Sequence, residues 1–178
     1  MTKDIHPSTE EAGPSPELFD QLVDSYAEEV YRFLASRCPS RMDAEDMTQE
    51  TYLLALHNLS SLHDERKAKQ WLFSIAHNVA RQHHRRGRCR PEAPQDHPRE
   101  ASASGDALNE DVLRRLAIGD ALASLSEDHQ TILLLVAQVR LTIVEASFVL
   151  NIGIEAAKKR WQRACRNFRL AFESEQGP

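Results

Sequence analysis

Gln70-Trp71-Leu72-Phe73-Ser74-Ile75-Ala76-His77-Asn78-Val79-Ala80-Arg81-Gln82-His83-His84-Arg85-Arg86 is the stretch on which the fold turns. Its apolar positions 72, 75, 76 and 79 fall at steps of three and four, the period of a helix with one face on a core. The opposite face reads Trp71, Ser74, Asn78, Arg81, Gln82 and Arg85. An aromatic ring can stack on a base, an amide can bond a base edge, and arginines can hold phosphates. Trp71 fits a core position equally well. The surrounding segment, Arg66 to Arg90, carries eight Lys/Arg and no Asp or Glu, although the whole chain has a formal charge of −5. A solvated surface normally mixes both signs, so this segregation points to a polyanion.

Upstream, Phe19, Leu22, Val23, Tyr26, Val30, Phe33 and Leu34 form one apolar stripe of a helix that Pro39 ends. Asp43 is the expected cap of a second helix reaching about Leu59, with Ala44, Met47, Thr51, Leu54 and Ala55 inward. Its other face carries Asp46, Gln49, Glu50, Leu53 and His57. Such an acidic patch with an apolar centre suits docking on a basic protein, and it also suits plain solvation. A polar loop, Ser60 to Lys69, leads into the third helix, expected from Gln70 to about Arg86.

Residues Arg88 to Glu110 hold Pro91, Pro94, Pro98 and Gly105 among polar residues and read as a flexible linker. Beyond it, Leu113, Leu116, Ala117, Ala121 and Leu125 are the expected contacts of a second module. Ser126 is placed to cap a helix carrying Thr131 to Ala137. Thr142-Ile143-Val144-Glu145 is a capping box opening a short helix to Leu150. Asn151-Ile152-Gly153 then makes a turn, Asn being able to adopt a left-handed conformation. A long helix from Ile154 to Phe172 buries Ile154, Ala157, Trp161, Ala164, Cys165 and Phe168 and shows Lys158, Lys159, Gln162, Arg163 and Arg166. Short capped helix, tight turn and longer basic helix make a helix-turn-helix, whose long polar side chains reach phosphates and base edges in a major groove. An ordinary amphipathic surface helix has the same pattern.

The predicted architecture is all-α: a tail at 1–16, a three-helix module at 17–88, an acidic linker at 89–111 and a helix-turn-helix module at 112–174. Charge follows the same division: −7 over residues 1–30, −3 over 31–65, +8 over 66–90, −6 over 91–128 and +3 over 129–178. Residues Met1 to Pro16 lack the basic start and apolar run of a signal peptide, and no apolar run approaches the ~20 residues of a bilayer span. Three distant cysteines, Cys38, Cys89 and Cys165, suit reduced thiols in a cytoplasm. His77, His83, His84, Cys89 and His97 match no standard zinc spacing and are expected to be polar or to face phosphate. No Ser-His-Asp set, paired carboxylates or phosphate-cradling glycine loop is present, so neither an enzyme nor a cofactor protein is expected.

Two motifs then converge. Asp43-Ala44-Glu45-Asp46-Met47-Thr48-Gln49-Glu50-Thr51-Tyr52 and Gln70-Trp71-Leu72-Phe73-Ser74-Ile75-Ala76-His77-Asn78-Val79-Ala80 resemble the core-binding and promoter-melting segments of bacterial sigma factors. Residues 121–171 are similar to their C-terminal helix-turn-helix domain, and the short two-module plan resembles the extracytoplasmic-function (ECF) subgroup. The resemblance implies that Asp46, Gln49 and Glu50, with Leu53 on the same face, dock on RNA polymerase core at its beta-prime and beta subunits. It implies capture of an unstacked minus-ten base by the Ser60–Lys69 loop with Trp71 and Asn78, aided by Lys69, Ser74, Arg81 and Arg85. It assigns minus-thirty-five reading to Lys158, Lys159, Gln162 and Arg163, with Arg166 beside them. An anti-sigma partner is expected on the same ground. Leu125-Ser126 stands where the family usually has Leu-Pro, and Ala156-Ala157 where Thr-Val is common. The rival readings are a sigma-like decoy for an anti-sigma factor, a stand-alone helix-turn-helix repressor, and a metal or redox sensor.

Overall fold

The computed structural model describes residues 16–38, 40–87 and 107–175. The expected tail, the stop at Pro39, most of the linker, Cys89 and His97 lie outside the described residues. Seven α-helices stand among them: α1 (Pro16–Ala35), α2 (Arg41–His57), α3 (Ala68–Arg85), α4 (Ala107–Ala123), α5 (Glu127–Leu133), α6 (Ile143–Val149) and α7 (Ile154–Glu175). No strand is present among the described residues, and none of the described helices is long and apolar enough to cross a membrane.

Helix ends depart from expectation for local reasons. Ser40, not Asp43, caps α2: its hydroxyl accepts from the Asp43 backbone N–H at 3.3 Å, which leaves Asp43 in the first turn, where a carboxylate favours the helix dipole. The loop before α3 contains two short 3₁₀ turns, Leu59–Ser61 and Glu65–Lys67. The Asp64 carboxylate starts the second by accepting from the Arg66 N–H at 3.1 Å, and α3 therefore begins at Ala68, before Gln70. Gly87 follows the end of α3 with φ +67°, the left-handed position that glycine fills without steric cost. Ser126 sits at the start of α5 without a side-chain cap bond. Gln130 instead reaches back, its amide donating to the Leu125 carbonyl at 2.9 Å. A π turn, Leu134–Gln138, extends α5, with Val139 N–H bonded to the Leu134 carbonyl at 2.9 Å. The apolar pattern gave no sign of it, since one extra residue per turn hardly disturbs the period. The capping box at Thr142 and Glu145 forms in full, and Asn151 takes φ +51°.

Helices α1, α2 and α3 pack around Val30, Phe33, Leu34, Met47, Leu72, Phe73, Ala76 and Val79, all 0–1% exposed. The Phe33 and Phe73 rings meet edge to face, 5.6 Å between centroids. Helices α4, α5, α6 and α7 gather around Ile132, Leu133, Ala157 and Ala164, with Trp161, Cys165 and Phe168 at the margin. Three expected core residues lie outward: Leu54 is 37% exposed, Ile154 44% and Leu116 57%. Leu54 flanks an α2 seam already filled by Met47, Thr51 and Ala55, and Ile154 starts α7 ahead of its first buried turn. The same core continues across the two modules. Leu134, Leu135, Val139, Leu141, Ala146 and Val149 share one cluster with Val30, Phe33, Phe73 and Val79.

Candidate nucleic-acid interface

Helix α3 places its named residues unequally. Leu72, Ala76 and Val79 are buried and Ile75 is half-buried, so the expected inward face is the observed one. Asn78, Arg81 and Arg85 are exposed along one side. Ser74 is half-buried, and its hydroxyl donates to the Trp71 carbonyl at 2.6 Å. Trp71 packs against the core with part of its ring, while its indole N–H donates to the Ser61 hydroxyl at 3.2 Å. The ring is thereby tied to the 3₁₀ turn that precedes α3. Lys69 points to α1 instead of outward: its ammonium lies 2.7 Å from a Glu29 carboxylate oxygen, an ion pair rather than an aligned hydrogen bond, and 5.6 Å from the Tyr26 ring centre.

Two of the histidines expected to be polar or to face phosphate are interior. His83 Nε2 lies 2.7 Å from a Glu50 carboxylate oxygen, and the side chain is 4% exposed. His77 is buried, and its Nδ1 has no partner among the described residues. Burial first, then the positive charges of Arg37, Arg81 and Arg160, push its pKa down to about 3. His83 was legible as interior, because 72, 76, 79 and 83 continue the α3 stripe; His77 lies beside that stripe, between buried Phe73 and Ala80. Chemical type, polar and titratable, outweighed spacing in the expectation. His84 is exposed.

On α2, Asp46, Gln49 and Leu53 are exposed, Leu53 by 60%, while Glu50 is half-buried by its pairing with His83. Met42 and Leu56, 71% and 50% exposed, extend the apolar part of this helix surface. The face is therefore acidic and apolar at once. On α7, Lys158, Lys159, Gln162, Arg163 and Arg166 are all exposed. Lys158 pairs with Glu155 at 2.7 Å across one turn, and Arg160 with Asp128 of α5 at 3.2 Å. The second pair ties α7 to α5 and leaves Lys159, Gln162, Arg163 and Arg166 exposed. Cys38 and Cys165 are free thiols, and burial raises the pKa of Cys165.

Arg37 is the residue that sequence reading missed. It follows α1, yet its guanidinium reaches α5, 2.7 Å from a Glu127 carboxylate oxygen and in hydrogen bond with the Thr131 hydroxyl. Nothing local marks a contact spanning ninety residues.

The described residues thus present an exposed cationic face on α7 and an acidic, apolar-studded face on α2. The family model described as Sigma-70 region 2 matches residues 22–89. Among curated proteins, the chain is similar to the ECF RNA polymerase sigma factor SigL of Mycobacterium tuberculosis, 30% identical over 160 residues, 88% of this chain and 89% of the relative. It is also similar to the ECF RNA polymerase sigma factor BldN of Streptomyces coelicolor, 30% identical over 152 residues, which is 83% of this chain and 58% of that protein. The chain thus spans little more than half of BldN. Among solved structures, the sigma factor RpoE in complex with the anti-sigma factor NepR from Bartonella quintana superposes with a TM-score of 0.69 at 22% identity, over 87% of this chain and 96% of that one. That likeness is one of fold. The chain belongs to the family of ECF RNA polymerase sigma factors.

Proposed function

We propose that this protein directs promoter-specific transcription initiation as a subunit of RNA polymerase, acting in the cytoplasm and without catalysis of its own. The carrying observation is the separation of two faces on one small body. The α2 surface (Asp46, Gln49, Leu53) is acidic and apolar, while Asn78, Arg81 and Arg85 of α3 and Lys158, Lys159, Gln162, Arg163 and Arg166 of α7 are exposed for DNA. Docking of α2 on the polymerase beta-prime and beta subunits brings both DNA faces to a promoter. Glu50 serves that docking through its outer carboxylate edge while His83 holds it.

Helix α7 reads the minus-thirty-five element as duplex, its amide and guanidinium groups bonding base edges. Helix α3, with Trp71 and the preceding turn, holds the opened minus-ten strand. Flipping a base out of the stack costs a few kcal/mol, which contacts made only to the open strand offset, so melting proceeds without nucleotide hydrolysis. Lys69 and Ser74 support this site from within. Lys69 braces α3 on α1, and Ser74 bonds the Trp71 carbonyl. An anti-sigma protein is the natural regulator, a reading supported by the complex in which RpoE of Bartonella quintana was solved.

Transcription reconstituted from purified core polymerase and this protein tests the reading. A promoter-specific transcript is expected, and Asp46→Arg should reduce core affinity by setting a cation against the basic surface that the acidic α2 face is proposed to meet. A protein that binds core but never yields a specific transcript would be a decoy. Tight operator binding without polymerase would mark a stand-alone repressor.

A further inference from the structure

Between α3 and α6 runs a cleft of roughly 780 Å³. Small-molecule sites ordinarily hold about 300–1,000 Å³. Although the chain has a net charge of −5, no Asp or Glu lines this cleft among the described residues. One wall is polar, with His77, Asn78 and Arg81 of α3. The other carries Val144 and Phe148 of α6, 58% and 57% exposed. Gly153, immediately before α7, lines it as well. The first N–H groups of a helix have no partner inside it, and Gly153 has no side chain to cap those of α7. Nothing stands within 4 Å of where a Cβ on Gly153 would sit, so this end of the 22-residue helix is open, with its partial positive charge.

An unsatisfied group supports the same reading. His77 is 8% exposed, and its Nδ1 is sealed in the interior without a partner. A buried N–H lacking an acceptor costs more than a buried lone pair lacking a donor, so the proton belongs on Nε2. Nε2 is not sealed in this way, and the ring lines the cleft, which makes it a donor that the protein leaves unused. Burial, then the charges of Arg37, Arg81 and Arg160, keep the ring neutral, and the same cations favour an anion beside it. Arg81 itself is exposed, and no ion pair to it occurs among the described residues.

We propose that the cleft binds a free nucleoside monophosphate, its phosphate held by the α7 amino end and Arg81 and its base laid on Phe148. The Asn78 amide bonds the base edge, and His77 adds a neutral donor. Inorganic phosphate would leave Val144 and Phe148 bare, and an apolar acid would leave the amide unused. Asn78 and Arg81 are also assigned to the opened strand, so nucleotide and strand compete, a consequence that rests on the function proposed above.

Isothermal titration calorimetry of the full chain tests the site, with adenosine and guanosine monophosphates, the two nucleosides and inorganic phosphate as probes. Saturable binding of at least one nucleotide is expected, with its nucleoside and phosphate alone about tenfold weaker or more. Gly153 is exposed and outside the left-handed region, so Gly153→Asp is tolerated, caps α7 and repels a phosphate. Phe148→Ser removes the stacking ring. Each should weaken binding about tenfold with circular dichroism unchanged, and should one lose helicity the other decides. Absence of saturable binding by either nucleotide, or undiminished binding by the folded variants, overturns the proposal. Phosphate binding as tightly as nucleotide overturns the assignment of the ligand. So does a single-stranded oligonucleotide that binds where mononucleotides do not, since the cleft then belongs to the strand. Nucleotide binding without a promoter-specific transcript keeps the site and rejects the proposed function, whereas a transcript without nucleotide binding does the reverse.

Discussion

Helices α3 and α7 follow one recipe, an apolar stripe, a tryptophan, an amide and a row of cations, yet the fold uses them differently. Helix α3 buries Ala68, Leu72, Phe73, Ala76, His77, Val79, Ala80 and His83, and touches α1, α2 and α6. Helix α7 is longer, yet of its residues only Ala157 and Ala164 are fully buried among those described, and its cations other than Arg160 are exposed. The contrast teaches that a cationic amphipathic helix can be chiefly buried scaffold or chiefly exposed surface, depending on how many neighbours claim its other faces. Substitutions in α3 should therefore cost stability, and substitutions on α7 should cost recognition.

The sharpest way to break that contrast is Phe73→Ala. The ring is fully buried against Phe33, and its loss leaves a cavity where α1 and α3 meet. The expected destabilisation is about 3–5 kcal/mol, read as a lower denaturant midpoint. A loss below about 1 kcal/mol would show that the modules do not depend on α3 as a keystone.

Acid should expose the same dependence less severely. His77 has a pKa of about 3 in the folded chain, against 6.5 for an ordinary histidine, because burial and then Arg37, Arg81 and Arg160 oppose its charge. Between those values the unfolded chain carries a proton that the folded chain lacks, so stability is full above about pH 6.5 and falls as pH falls. Each pH unit is worth up to about 1.4 kcal/mol, or about 2–3 kcal/mol between neutrality and pH 4.5. Carboxylates titrate over part of this range, so the informative comparison is with His77→Gln. That variant should flatten the acid limb of stability against pH, and an identical slope in both proteins would remove His77 as its source.

The contrast between the helices was half legible beforehand. Steps of three and four found the inner faces of α1, α3 and α7, and Thr142 with Glu145 announced the start of α6. Cap choice between Ser40 and Asp43 was not legible, because both side chains can accept from a first-turn N–H and only the chain's entry angle decides. The exposed face of α7 was visible because little else covers it. That of α3 was harder to read: Lys69, expected at DNA, and His83, expected to be polar or to face phosphate, are paired with Glu29 and Glu50 of other helices. Such pairings depend on partners far along the chain, as Arg37 and Glu127 do, and local pattern carries no record of them.

The smallest expected effect is the most discriminating, because it isolates reading from folding. Arg163 is exposed on α7, and no ion pair to it occurs among the described residues. Arg163→Ala should change stability by no more than about 0.5 kcal/mol. On DNA, loss of a guanidinium that bonds a base edge costs about 1–3 kcal/mol for the preferred upstream sequence and little for sequences lacking that base. Loss of a phosphate contact would instead weaken every sequence alike and lower the salt dependence by about one counterion. Holoenzyme affinity measured on a set of upstream variants at two salt concentrations separates these outcomes. A sequence-selective loss at unchanged stability makes α7 a reader in the strict sense, whereas a stability loss near that of Phe73→Ala would erase the distinction between the two helices.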